Sequence, residues 1–114
     1  MTRYNKGDVI LVPFPFSDQT TTKKRPAVII SSDTYNNISQ DIVIMAITGQ
    51  TRSHIGIGEF LIEDWKGAGL LKSSAVKSAI STIDQRLVTK ILGRFSSKDL
   101  SALGKALKEL LDLR

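Results

Sequence analysis

The sequence predicts a mostly β domain with one helix: a small, mostly antiparallel barrel followed by a C-terminal helix. Three observations predict it. Short runs rich in Val and Ile recur along the chain, each bounded by Gly, Pro, Asn or Asp, as in strands joined by turns. Only the C-terminal stretch carries leucines at spacings of three and four, the stripe of an amphipathic helix. The length of 114 residues supplies one hydrophobic core but not two, so residues 1–114 read as a single domain.

The first strand is expected at Gly7-Asp8-Val9-Ile10-Leu11-Val12, ended by Pro13 and Pro15 around Phe14. Ser17 to Lys24 (SDQTTTKK) is polar and aperiodic, a connecting loop. Two lysines and Arg25 then run into Pro26 and a β-branched strand, Ala27 to Ser31. Proline suits the start of a strand and biases the residue before it toward extended backbone. Arg25 is therefore expected at a stiffened loop-to-strand junction, where a planar five-donor fork suits a phosphate or a developing oxyanion.

Ser32 to Asn37 is turn chemistry able to make one helical turn. Asp41 to Ile47 is apolar on both faces and predicts a central strand, ending at Thr48-Gly49-Gln50. The loop from Thr51 to Gly58 holds the only histidine, His54. A short strand around Glu59 to Ile62, a glycine-rich turn from Asp64 to Gly69 and a fifth strand from Lys77 to Ile83 follow. Leu87 to Phe95 reads as a further strand or a helical turn, since Gly93 argues against a long helix. Ser96 suits an N-cap, with Asp99 three residues on as in a capping box. Leu100, Leu103, Leu107, Leu110 and Leu111 share one predicted helical face, for core packing or a partner chain. The second and third strands are candidates to pair, which would bring Arg25 and Thr48 toward one rim of the sheet.

Composition narrows the chemistry. The chain has no cysteine, so disulfides and thiolate metal sites are excluded and a reducing cytoplasm fits. No apolar run approaches the roughly 20 residues that span a bilayer, and residues 1–8 lack a signal-peptide core. Sixteen Lys and Arg against 11 Asp and Glu give a net charge of +5, which favours an anionic partner such as nucleic acid. One histidine and scattered carboxylates offer no metal-ligand set, and His54 has no evident orienting partner for a catalytic triad. The glycines match no phosphate-loop template. Trp65 beside Lys66 reads as a half-buried turn anchor in preference to a base-stacking platform.

The motifs occur in an ordered set: Gly7-Asp8-Val9, Pro13-Phe14-Pro15-Phe16-Ser17-Asp18, Lys24-Arg25-Pro26-Ala27-Val28-Ile29-Ile30-Ser31 and Ala46-Ile47-Thr48. Gly69-Leu70-Leu71-Lys72, Ser74, Thr82-Ile83-Asp84 and Leu92-Gly93-Arg94-Phe95-Ser96 follow. Together they resemble the MazF/PemK family of toxins from type II toxin–antitoxin systems, over nearly the whole chain. The resemblance implies an SH3-like antiparallel barrel, a homodimer and a cofactor-free, metal-independent endoribonuclease. Such an enzyme cuts single-stranded RNA at short sequences and is inhibited by a cognate antitoxin. It implies catalytic roles for Arg25 and Thr48, and RNA contacts for Thr20, Thr21, Thr22, Lys23, Lys24, Gln50 and Lys77.

Two departures accompany the match. The family's usual serine after the threonine is here Gly49. The strand Lys77-Ser78-Ala79-Ile80-Ser81 lacks the carboxylate and arginine that many members carry. Two other readings stand beside the nuclease: a non-enzymatic toxin that blocks a protein target such as DNA gyrase, and a catalytically idle member that binds RNA or antitoxin.

Overall fold

The computed structural model describes residues 3–13, 23–51 and 55–114. Among these, six strands form one antiparallel sheet that curls into a half-barrel: β1 (Asp8–Val12), β2 (Arg25–Ile29), β3 (Asp41–Thr48), β4 (Phe60–Leu61), β5 (Ala75–Asp84) and β6 (Lys90–Arg94). Their order across the sheet is β4-β5-β3-β2-β1-β6, which puts β3 in the interior as its apolar run predicts. Two helices, α1 (Asp33–Ile38) and α2 (Ser97–Leu111), and a 3₁₀ turn (Gln85–Leu87) complete the described elements.

The expected strands are present with shifted ends. β2 begins at Arg25, two residues ahead of the predicted Ala27, because β1 reaches it there: Val12 pairs with Arg25 and Leu11 with Pro26. β5 begins at Ala75 instead of Lys77, since β3 and β4 both pair with its first two residues. The ambiguous Leu87–Phe95 segment resolves into the end of the 3₁₀ turn and β6, which closes onto β1.

Two apolar clusters fill the sheet's faces. One joins Val9, Val28, Met45, Ile47, Val76 and Phe95, and α2 lays Leu103 into it, with Leu100, Leu107 and Leu110 alongside. The other joins Ile10, Val12, Ala27, Ile29, Ile42, Ile44 and Ile83. Leu111 departs from the predicted stripe and is half exposed at the end of α2. Helix α2 starts as expected, with Ser96 Oγ accepting from the Asp99 N–H at 3.3 Å. The Asp99 carboxylate does not act as in a capping box. It is buried and accepts the N–H groups of Glu63 and Asp64, each at 2.9 Å, tying the glycine-rich turn to α2.

That turn also packs against β6 with no room for side chains. Gly69 has a positive φ of 81°, and a Cβ there would lie 2.0 Å from the Leu92 carbonyl oxygen. A Cβ on Gly93 would lie 2.6 Å from the Ala68 carbonyl carbon. Glycine is required on both sides of this contact. Trp65 is half-buried against the first cluster, with Lys66 Nζ 5.5 Å from its ring centre.

Candidate functional site

Arg25 is the first residue of β2, and Pro26 restrains it to extended backbone. The β2–β3 register starts at Ala27 opposite Ala46, so the missing N–H of Pro26 falls beyond the last registered pair. Carried two residues further, the same register brings Arg25 level with Thr48, the last residue of β3. The sheet thus sets both residues at one rim.

Two depressions meet at this rim. The larger, about 710 Å³, is lined by Arg25, Lys23 and Lys24, by Lys72 and Gly49, and by Lys90 from β6. Leu11, Leu71 and Leu92 add apolar wall, and Leu71 is 99% exposed. No carboxylate is among the described lining residues, and the cleft gathers positive charge from three segments. The smaller depression, about 90 Å³, gathers Thr48, Gln50, Glu59 and Lys77 around Ala75 and Val76. Gly49 lines the larger, and its neighbours Thr48 and Gln50 line the smaller.

Local hydrogen bonds orient the smaller site. Thr48 Oγ accepts the Gln50 N–H at 3.1 Å, which leaves the hydroxyl proton to be donated elsewhere. Glu59 accepts the Gly56 N–H at 3.0 Å and the Ser78 N–H at 3.3 Å. The Gly56 contact, then the Ser78 amide and the charge of Lys77, hold the Glu59 carboxyl below its ordinary value against the opposing effect of burial. Glu59 therefore stays ionised at neutral pH.

Among the sequence-selected residues, Lys23, Lys24 and Arg25 share the larger cleft, and Thr48, Gln50 and Lys77 share the smaller. Thr20, Thr21, Thr22 and His54 lie outside the described residues. Lys72, Lys90 and Glu59 were missed. Glu59 bears on the carboxylate absent from the Lys77–Ser81 strand: a carboxylate does reach β5, but from the segment preceding β4. Lys72 stands in the Gly69–Lys72 motif that carries the resemblance but was given no role there, and for Lys90 the available signal was the chain-wide excess of Lys and Arg, which says nothing of which ones converge.

The family of PemK-like, MazF-like toxins of type II toxin–antitoxin systems matches residues 5–111. This chain belongs to that family. The solved structures agree on the fold. A mycobacterial endoribonuclease in complex with its cognate antitoxin superposes with a TM-score of 0.77 at 17% identity, covering 97% of each chain. The toxin MazF-mt6 of Mycobacterium tuberculosis gives 0.74 at 19% identity, covering 94% of this chain and 98% of its own. MazF from Deinococcus radiodurans gives 0.76 at 17% identity, covering 98% and 99%. No curated protein sequence matches the chain. In this chain the start of β2 and the end of β3 lie at the cationic rim, with Gly49 lining the larger depression and Lys77 the smaller.

Proposed function

We propose that this MazF-like chain is the toxin of a type II toxin–antitoxin pair and acts as a metal-independent endoribonuclease on single-stranded RNA. The observation that carries the reading is the cationic cleft at the Arg25–Thr48 rim. A groove lined by lysines and an arginine, with exposed Leu71 at its edge, suits a phosphate backbone with an unstacked base beside it.

The chemistry needs little from the protein. The ribose 2′-hydroxyl gives up its proton and attacks the adjacent phosphorus, the P–O5′ bond breaks, and the leaving 5′-oxygen takes up a proton, so that a 2′,3′-cyclic phosphate and a 5′-hydroxyl result. Neither a water nucleophile nor a metal is required. A guanidinium is a poor proton carrier, so the role of Arg25 is to stabilise charge growing on the phosphate oxygens. Thr48 orients a phosphate oxygen through its remaining hydroxyl proton. Lys23, Lys24, Gln50 and Lys77 bind the RNA along the two depressions, and Thr20, Thr21 and Thr22, which precede them in the chain, are further proposed RNA contacts. The functional unit is a cytoplasmic homodimer, and a cognate antitoxin covers the same groove, as a partner antitoxin accompanies the mycobacterial relative.

The test is incubation of the purified protein with a long mixed-sequence RNA in EDTA. Cleavage is expected, with cyclic-phosphate or 3′-phosphate ends, and it should stop when the nucleotide 5′ of the cut carries no 2′-hydroxyl. Continued cutting of that 2′-deoxy substrate would make water the nucleophile and overturn the mechanism. Intact RNA would favour a binding toxin.

A further inference from the structure

Gly49, where the family's usual serine is absent, has a physical counterpart. A Cβ on Gly49 would lie 2.2 Å from Lys72 Cε and 3.0 Å from Lys72 Nζ. The lysine stem therefore crosses the Gly49 backbone, and its ammonium lies over Gly49, the residue that follows Thr48 in the chain. A side chain at position 49 and this position of Lys72 exclude each other. The lysine is also anchored from behind: the buried Ser74 hydroxyl donates to the Lys72 carbonyl at 2.9 Å, and the Ile62 N–H donates to the Ser74 carbonyl at 3.0 Å. Lys72 and Arg25 line the same cleft.

We propose that Lys72 is a further charge-stabilising residue of the cleavage site, acting with Arg25 on the scissile phosphate, and that Gly49 is the seat that lets it do so. This rests on the nuclease reading above. An ammonium is a compact point charge that needs placing but not a fixed fork, so a flexible stem held against bare backbone suits it. The pair supplies a second cation where β5 carries no arginine.

The experiment measures single-turnover cleavage of a mixed-sequence RNA by K72A, G49A and the double variant. Affinity for single-stranded DNA of the same sequence, which lacks the attacking hydroxyl, is measured beside it. K72A should slow cleavage by about 10²-fold, the usual loss for one well-placed donor, while DNA affinity falls far less. G49A keeps every charge but displaces the flexible lysine, so it should slow cleavage similarly, with its circular dichroism spectrum unchanged. In the K72A background the G49A effect should vanish, because both changes remove one interaction. Two additive effects, or full activity in K72A, would overturn the proposal while leaving the nuclease reading intact. A wild-type protein that leaves RNA uncut would remove the nuclease reading itself, and this inference with it.

Discussion

Arg25 is fixed from its C-terminal side, because Pro26 restrains its backbone and Ala27, Val28 and Ile29 beyond it are fully buried. Its own side chain is exposed, so Arg25→Ala should leave the fold intact while RNA cleavage falls about 10²-fold or more. Cleavage rates with circular dichroism as control check this, and retention of a tenth of the activity would contradict it. Arg25→Lys should remain poor, since an ammonium cannot make a two-pronged phosphate contact. The placement of Arg25 and Thr48 at one rim was legible in the sequence because each sits beside a local marker, a proline in one case and a strand end in the other. Lys72, Lys90 and Glu59 were not. Each is an ordinary charged residue locally, and only the chain's return across the sheet brings it to the rim.

Among the elements, strand existence was legible and strand register was not. The Val and Ile runs of β1, β2 and β3 announce buried strands, but nothing local says that β1 lies between β2 and β6. The ends of β2 and β5 were misjudged for the same reason, since each extends only because a distant strand pairs with it. The Asp99 spacing correctly marked the start of α2, yet the carboxylate serves a tertiary contact that the spacing does not reveal. Asp99→Ala should accordingly cost more than a lost helix cap. It leaves the Glu63 and Asp64 N–H groups without their charged acceptor, for about 3 kcal/mol of stability. Urea unfolding measures it, with a lower midpoint and an unchanged slope expected. A loss below about 1 kcal/mol, the usual worth of a cap alone, would show that the turn tether contributes little.

The whole molecule carries a net charge of +5, and Lys23, Lys24, Arg25, Lys72 and Lys90 gather part of it in one cleft. Binding governed by such a surface falls steeply with salt, because each phosphate contact releases counterions. Lys23→Glu combined with Lys24→Glu should therefore weaken RNA and antitoxin together and flatten the salt dependence of both. Light scattering should show the proposed dimer unchanged. Weakened RNA binding with full antitoxin affinity would mean that the two ligands occupy different places.

The pairing of β1 with β6 has a consequence in time. The first strand of the sheet acquires one of its two neighbours only when residues 90–94 exist. The same late strand brings Lys90 and Leu92 to a cleft whose other walls come from residues 11 to 74. A chain still emerging from the ribosome has Arg25 and Thr48 long before it has the rest of the groove. Contacts between such distant segments also form slowly. Synthesis itself thus separates the appearance of Arg25 and Thr48 from the appearance of the assembled cleft, and residues 90–94 must be made before the proposed RNA groove is finished.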